Sequence, residues 1–200
     1  MRPAQLAWLP ILLALLPAGA ARAGMLVEGR LLDVPIRLEV GRDPNLVRAT
    51  VASSERLIDL KAERVFQLGK PARAIDLGNL PDPASTSRYD LTYWGGKRLT
   101  VAGQKGGYYV LTLQDTTCGE ALVAAWTRPL IAPLVAAVDI LQRSEPKLLP
   151  LARRHCGTIP FRAYAMQGWP LLAGWIDTRV FETSRLDMNH QPDEDRFLRP

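Results

Sequence analysis

The chain has 200 residues, 25 Lys and Arg against 20 Asp and Glu, and two cysteines. Its size bounds it to one ordinary domain. The basic residues are scattered rather than blocked (Arg30, Arg37, Arg42, Arg48, Arg56 and Arg64), with no interleaved aromatic stripe, which argues against nucleic acid as a partner.

The first element is an export signal. "MRPAQLAWLPILLALLPAGAARAG" carries Arg2, an apolar core from Leu6 to Leu16, and the small-x-small "ARA" at Ala21–Ala23 before Gly24. That core is shorter than the ~20 residues a bilayer span needs. Cleavage near Ala23–Gly24 into the periplasm leaves residues 24–200, and loses Arg2 and Arg22 and no acid, so formal charge falls from +5 to +3. The expected organisation is a signal peptide over 1–23 and a single β-rich domain over 24–200, with a helical insert about 117–156.

From Met25 to Leu113 the apolar period is two. "VPIRLEV" sets Val34, Ile36, Leu38 and Val40 against Arg37 and Glu39; "RYDLTYW" sets Tyr89, Leu91 and Tyr93 against Arg88, Asp90 and Thr92. Leu99/Val101 and Tyr109/Leu111/Leu113 continue the alternation, the mark of strands with one buried face. Turn chemistry separates them at "GRDPN" (41–45), "KAE" (61–63), "GG" (95–96) and "GQKGG" (103–107), which predicts an antiparallel meander. "NLPDPASTS" (79–87) reads as a long exposed connector, with a ligand lid as the sharper alternative.

After Gln114 the period changes. Thr117 and Glu120 match a capping box, which predicts a helix over about 118–128. Pro129 and Pro133 forbid one smooth helix through Leu141, so a second helix over about 132–143 is expected, with proline in its first turn. Leu122, Trp126, Leu130, Leu134, Val138 and Leu141 form a helical apolar stripe. A bilayer would charge about 2.5–3.5 kcal/mol for each of Arg128 and Asp139 near its centre, so the stripe is expected to cover the sheet, with no transmembrane span after signal cleavage. A third helix around Leu148–His155, capped by Gly157, and strand character from "PFRAYAM" through "VFETSRLDMNH" complete the chain, with Phe197 anchoring a polar tail. The fold class is thus α+β, an antiparallel meander curved into a half-open, barrel-like sheet with helices on its concave face.

Two cysteines in an exported chain favour a disulfide, Cys118–Cys156, across the helical insert. Two histidines are too few ligands for zinc without more partners, and no metal or cofactor is expected. His155, beside Arg153 and Arg154, reads as a helix-end residue; His190, near Asp187, Asp193 and Glu194, reads as surface. G-x-S-x-G, P-loop and G-x-G-x-x-G patterns are missing from the sequence, and a non-catalytic protein is expected. The aromatic residues have two readings, ordinary core or the lining of an apolar ligand cavity. On the second, the candidate binding residues are Trp126, Leu130, Leu134, Tyr93, Tyr109 and Trp175.

The segments "SERLIDLKAERVFQL" (54–68) and "FETSRLDMNHQPDEDRFLRP", within the order signal, meander, helices, final strands, resemble the LolA/LppX-like plan of periplasmic lipoprotein carriers and DUF-type families of short exported bacterial proteins. The disulfide across the helices departs from the carriers. What the resemblance implies is an apolar groove for a lipid, a lipoprotein or another hydrophobic ligand, or for an envelope protein's apolar segment. The alternative is a structural or assembly partner of another cell-envelope protein, with a self-filled core.

Overall fold

The computed structural model describes residues 24–69, 73–76, 88–95, 99–151, 155–175 and 178–198. The signal segment and the connector at 79–87 lie outside the described residues.

The fold is α+β; among the described residues it is one antiparallel sheet of twelve strands with two helices. The strands are β1 (Gly24–Leu31), β2 (Val34–Val40), β3 (Leu46–Val51), β4 (Ser54–Asp59), β5 (Arg64–Leu68), β6 (Arg73–Asp76), β7 (Asp90–Tyr93), β8 (Leu99–Val101), β9 (Gln104–Leu113), β10 (Thr116–Ala124), β11 (Trp169–Gly174) and β12 (Arg179–His190). The helices are α1 (Ala132–Ser144) and α2 (Phe161–Tyr164). Side by side the order is β6-β5-β4-β3-β2-β1-β12-β11-β10-β9-β7, with β8 also on β9. The expected single meander therefore holds only through β6. A second meander, β9 to β12, joins the first through β1 and β12, and the sheet is not closed.

Two-residue turns set much of the register. Leu32–Asp33, Ala102–Gly103 and Gln114–Asp115 all have positive φ at both positions, the turn geometry whose twist matches flanking antiparallel strands. Gln104–Gly107, expected as turn, belongs to β9.

The helical insert is shorter than expected. Residues 118–124 form strand β10, not helix, paired to β9 on one side and β11 on the other. Ala121 to Ala124 are all buried, and a strand covered on both faces loses its alternation and reads like a buried helix. Thr117 is a strand residue facing Thr112, so the capping box never forms. Of the expected third helix, the described residues show only a 3-10 turn at Pro146–Leu148, with residues 149–151 outside any helix; residues 152–154 lie outside the described residues, and Gly157 (φ +65°) is a bridge residue. Phe161–Tyr164, expected as strand, is helical.

Helix α1 matches the expected 132–143 segment, with proline in its first turn. It lies over β2 and β3 and buries Leu134, Ala137, Val138 and Leu141, a spacing of three, one and three that keeps one face inward. Its buried Gln142 is fully used: Nε2 donates to the Leu148 carbonyl (3.0 Å) and Oε1 accepts from Phe161 N–H (3.1 Å), which fixes α2 against α1. Beneath α2 the rings of Phe161, Trp169 and Phe181 meet at 5.0–5.6 Å.

The opposite sheet face has its own small cover. Leu26, Glu39, Arg48 and Leu57 stand in one lateral row across β1 to β4. The C-terminal turn Glu194–Phe197 lies against it: Arg48 donates to the Arg196 carbonyl (2.9 Å), and Phe197 is buried beside Gly41. The tail is anchored by Phe197 as expected.

Candidate functional site

Three of the expected binding residues come together. Tyr93 and Tyr109 face each other directly across β7 and β9, their rings 5.4 Å apart and 64° to each other. Trp126 stands on the 3-10 turn Ala125–Thr127 that leaves β10. With Lys105, Gly106, Gly107, Val123 and Ala125 they line one groove of about 470 Å³. Leu91 and Leu111, farther along the same strands, are buried in the core on the same side of the sheet, so the groove lies where the helical cover ends. Tyr93 (54% exposed) and Trp126 (51%) keep their rings open to solvent.

Local chemistry builds this groove. A Cβ on Gly107 would sit 3.1 Å from the Tyr93 ring and 3.2 Å from the Tyr109 ring, so the bare backbone lets both rings lean together. Thr127 holds the Trp126 turn: its hydroxyl donates to the Ala124 carbonyl (2.7 Å) and accepts from Trp169 N–H (2.8 Å). Gly168 (φ +142°) makes that approach possible, since a Cβ there would lie 2.5 Å from the Ala124 oxygen.

The other three expected residues lie elsewhere. Leu134 is core, at 0% exposure. Leu130 borders a smaller groove of about 230 Å³ with Pro129, Pro133, Met25 and Met188. Trp175 borders a groove of about 540 Å³ with Arg30, Leu122, Leu172, Tyr108 and Glu120. There the Tyr108 hydroxyl donates to Glu120, and this bond, with burial and the carboxylate's charge, pushes the phenol up to about 12. Lys105, Gly107 and Val123 were not expected at the site. The "GG" within a strand pattern was the available signal, because glycine there marks a close approach.

Neither histidine sits as expected. His155 is an exposed turn residue. His190 is half-buried, its Nε2 2.7 Å from Glu39 Oε1. Glu39 is 3% exposed, and Arg37 bridges it (3.6 Å) to Glu28 (2.8 Å). A buried carboxylate held by a histidine and an arginine is a satisfied structural pair. The disulfide Cys118–Cys156 is formed, with Cα atoms 5.7 Å apart. Among the described residues no group of three or more His, Cys, Asp or Glu is placed to hold a metal ion. Among them, too, no helix is long and apolar enough to cross a membrane.

One titratable group stands out on the helices. Asp139 of α1 lies mostly buried against Arg162 of α2 (3.3 Å). Burial pushes its carboxyl up to about 6, against the pull of Arg162 and Arg143. The native state therefore keeps this proton where the unfolded chain, near 3.8, has lost it. The contribution favours folding at low pH and is lost as pH rises from about 4 through 6. Asp139→Asn removes it: wild-type stability relative to the variant should fall by about 1–2 kcal/mol over that window, after allowance for screening by solvent. Denaturant titrations of both proteins at pH 4 and pH 7 check this, and parallel curves would refute it.

The chain matches no protein-family model, no curated protein and no solved structure.

Proposed function

We propose that this is an exported, periplasmic, non-catalytic binding protein, cleaved near Ala23–Gly24, that takes a lipid, lipoprotein or other hydrophobic ligand in the groove of Tyr93, Tyr109 and Trp126. The observation that carries the reading is their convergence. Three large rings from two strands and a turn share one groove, and two of them, Tyr93 and Trp126, stay open to solvent where burial was available a few residues away. The half-open barrel of the lipoprotein-carrier plan fits the chain's reach. Asp90 follows Asp76 by fourteen residues, at most about 50 Å of chain, yet the two strands lie on opposite edges. Ten strand gaps of about 4.8 Å would already span about 48 Å in a flat sheet, so curvature that draws the edges together is favoured. Both cysteines are oxidised, which suits an oxidising envelope, and His190 is committed to Glu39, which suits a protein without acid–base work.

Native mass spectrometry of protein isolated from its own envelope tests the reading. A co-purifying hydrophobic ligand is expected, lost or depleted in Trp126→Ala; bare polypeptide in repeated preparations would reject it. The packing beneath α1 and α2 favours a second reading, a structural or assembly partner of another envelope protein. Leu134, Val138, Leu141, Phe161, Trp169 and Phe181 fill that space with the protein's own side chains. Crosslinking in intact cells to one stoichiometric envelope protein would favour it.

A further inference from the structure

Resting on the binding reading above, we propose that the groove recognises a quaternary ammonium group, and specifically the zwitterionic phosphocholine unit. The trimethylammonium sits among Tyr93, Tyr109 and Trp126, and the phosphate meets Lys105.

The chemistry of the lining selects this class. Tyr93 and Tyr109 meet edge to face at 64°, so their faces point in different directions, and Trp126 lines the same groove; rings so grouped can hold a rounded cation without N–H donors. A primary ammonium or guanidinium would need carboxylate or carbonyl acceptors. Among the described residues no acidic side chain lines the groove. A sugar would need a fringe of Asp, Asn, Gln or Glu to satisfy its hydroxyls, and the described lining has none. Tyr93 and Trp126 remain half-exposed, so the part of a lipid this open groove suits is its headgroup, with the acyl chains left outside it. Among the described residues Lys105 is the groove's one charged side chain; it is exposed and makes no salt bridge with another described residue. Its positive charge would repel a bare cation but complements a cation carrying its own phosphate. Gly107 is the structural condition for the cage, because any side chain there would push the two tyrosine rings apart.

The purified protein is titrated with phosphocholine, choline and phosphoethanolamine, with Trp fluorescence and calorimetry as readouts. Saturable phosphocholine binding is expected, at least tenfold tighter than phosphoethanolamine, which has N–H donors in place of methyls. Tyr93→Ala and Trp126→Ala, both at exposed positions, should each weaken it roughly tenfold, the size of a partly desolvated cation–π contact. Tyr93→Phe should keep it. Lys105→Gln should weaken phosphocholine and leave choline unchanged or tighter. Sedimentation with phosphatidylcholine against phosphatidylethanolamine vesicles separates the sources: selective co-sedimentation assigns a lipid headgroup, and binding of only the soluble compound assigns the free metabolite. Equal affinity for phosphoethanolamine, insensitivity to both alanine variants, or binding of a malto-oligosaccharide in its place would overturn the inference. If a fluorescent fatty acid binds in a Trp126-dependent way and phosphocholine does not, the inference falls and the binding reading stands. If neither binds, both fall.

Discussion

Trp169→Ala should cost about 3–5 kcal/mol of stability, as truncations of fully buried tryptophan do. That would be a large share of the 5–15 kcal/mol typical of a whole domain. The ring is completely buried and sits 5.2 Å from Phe161 and 5.6 Å from Phe181, so its removal leaves a void under α2 and strips two aromatic contacts at once. Its indole N–H also donates to the buried Thr183 hydroxyl (3.1 Å), which would keep only its bond to the Pro170 carbonyl. Trp169→Phe should cost visibly less, since it restores most of the volume and loses the hydrogen bond. Phe161→Ala combined with Trp169→Ala should fall short of the sum, because the two side chains share one cavity. Guanidinium midpoints with unchanged slope would measure all three. A loss under about 1 kcal/mol for Trp169→Ala would mean that this cluster is not the packing centre. The Trp126 turn should survive in whatever fraction stays folded, since the bond that holds it comes from the backbone of residue 169, not its ring.

How much of this could be read from residues alone depends on whether the deciding contact is local. Strand β2 was legible through Ile36, Leu38 and Val40, and α1 through its apolar spacing and Pro133. Strand β10 was not. Its partner β11 is remote in sequence, and Ala121 to Ala124 are buried on both faces, which erases the period-two signal and leaves a capping-box coincidence in charge. The turns Leu32–Asp33 and Gln114–Asp115 carried little signal, because leucine and glutamine are poor residues for positive φ. Glu39 looked solvent-facing by alternation; it is buried because His190, 151 residues on, closes over it.

The site shows the same division. That Tyr93, Tyr109 and Trp126 were candidates follows from residue type. Their meeting depends on β7 and β8 both pairing β9, so that Tyr93 falls opposite Tyr109. In sequence Leu134 extends the helical stripe from Trp126 and Leu130. The first expected helix, over about 118–128, is strand and 3-10 turn, and the irregular chain before Ala132 resets the phase, leaving Trp126 and Leu130 outside and Leu134 in the core.

Breaking Cys118–Cys156 should cost about 3–4 kcal/mol, the chain-entropy value for the 39-residue loop that a sequence separation of 38 closes. That loop contains all of α1 and ties β10 to the turn before α2, so the crosslink restricts the unfolded chain over most of the helical cover. Tyr89 donates its hydroxyl to the Cys156 carbonyl (2.6 Å), a tie that remains when the sulfurs part. Both cysteines are buried, so each of Cys118→Ser and Cys156→Ser loses the same bond and inserts a hydroxyl into an apolar site. Their losses should be equal within about 0.5 kcal/mol, and Cys→Ala at either position should lose less. Reduced wild-type protein should match the alanine variants, since a buried thiol behaves as a small apolar group. The double alanine variant should be no worse than either single one, because the second substitution has no bond left to remove. A midpoint that does not move on reduction, or two free thiols in untreated protein, would refute the crosslink. Residues 24–200 produced in a reducing cytosol should show the lowered midpoint, and air oxidation should restore it. That recovery would tie the stability of the fold to passage into an oxidising compartment.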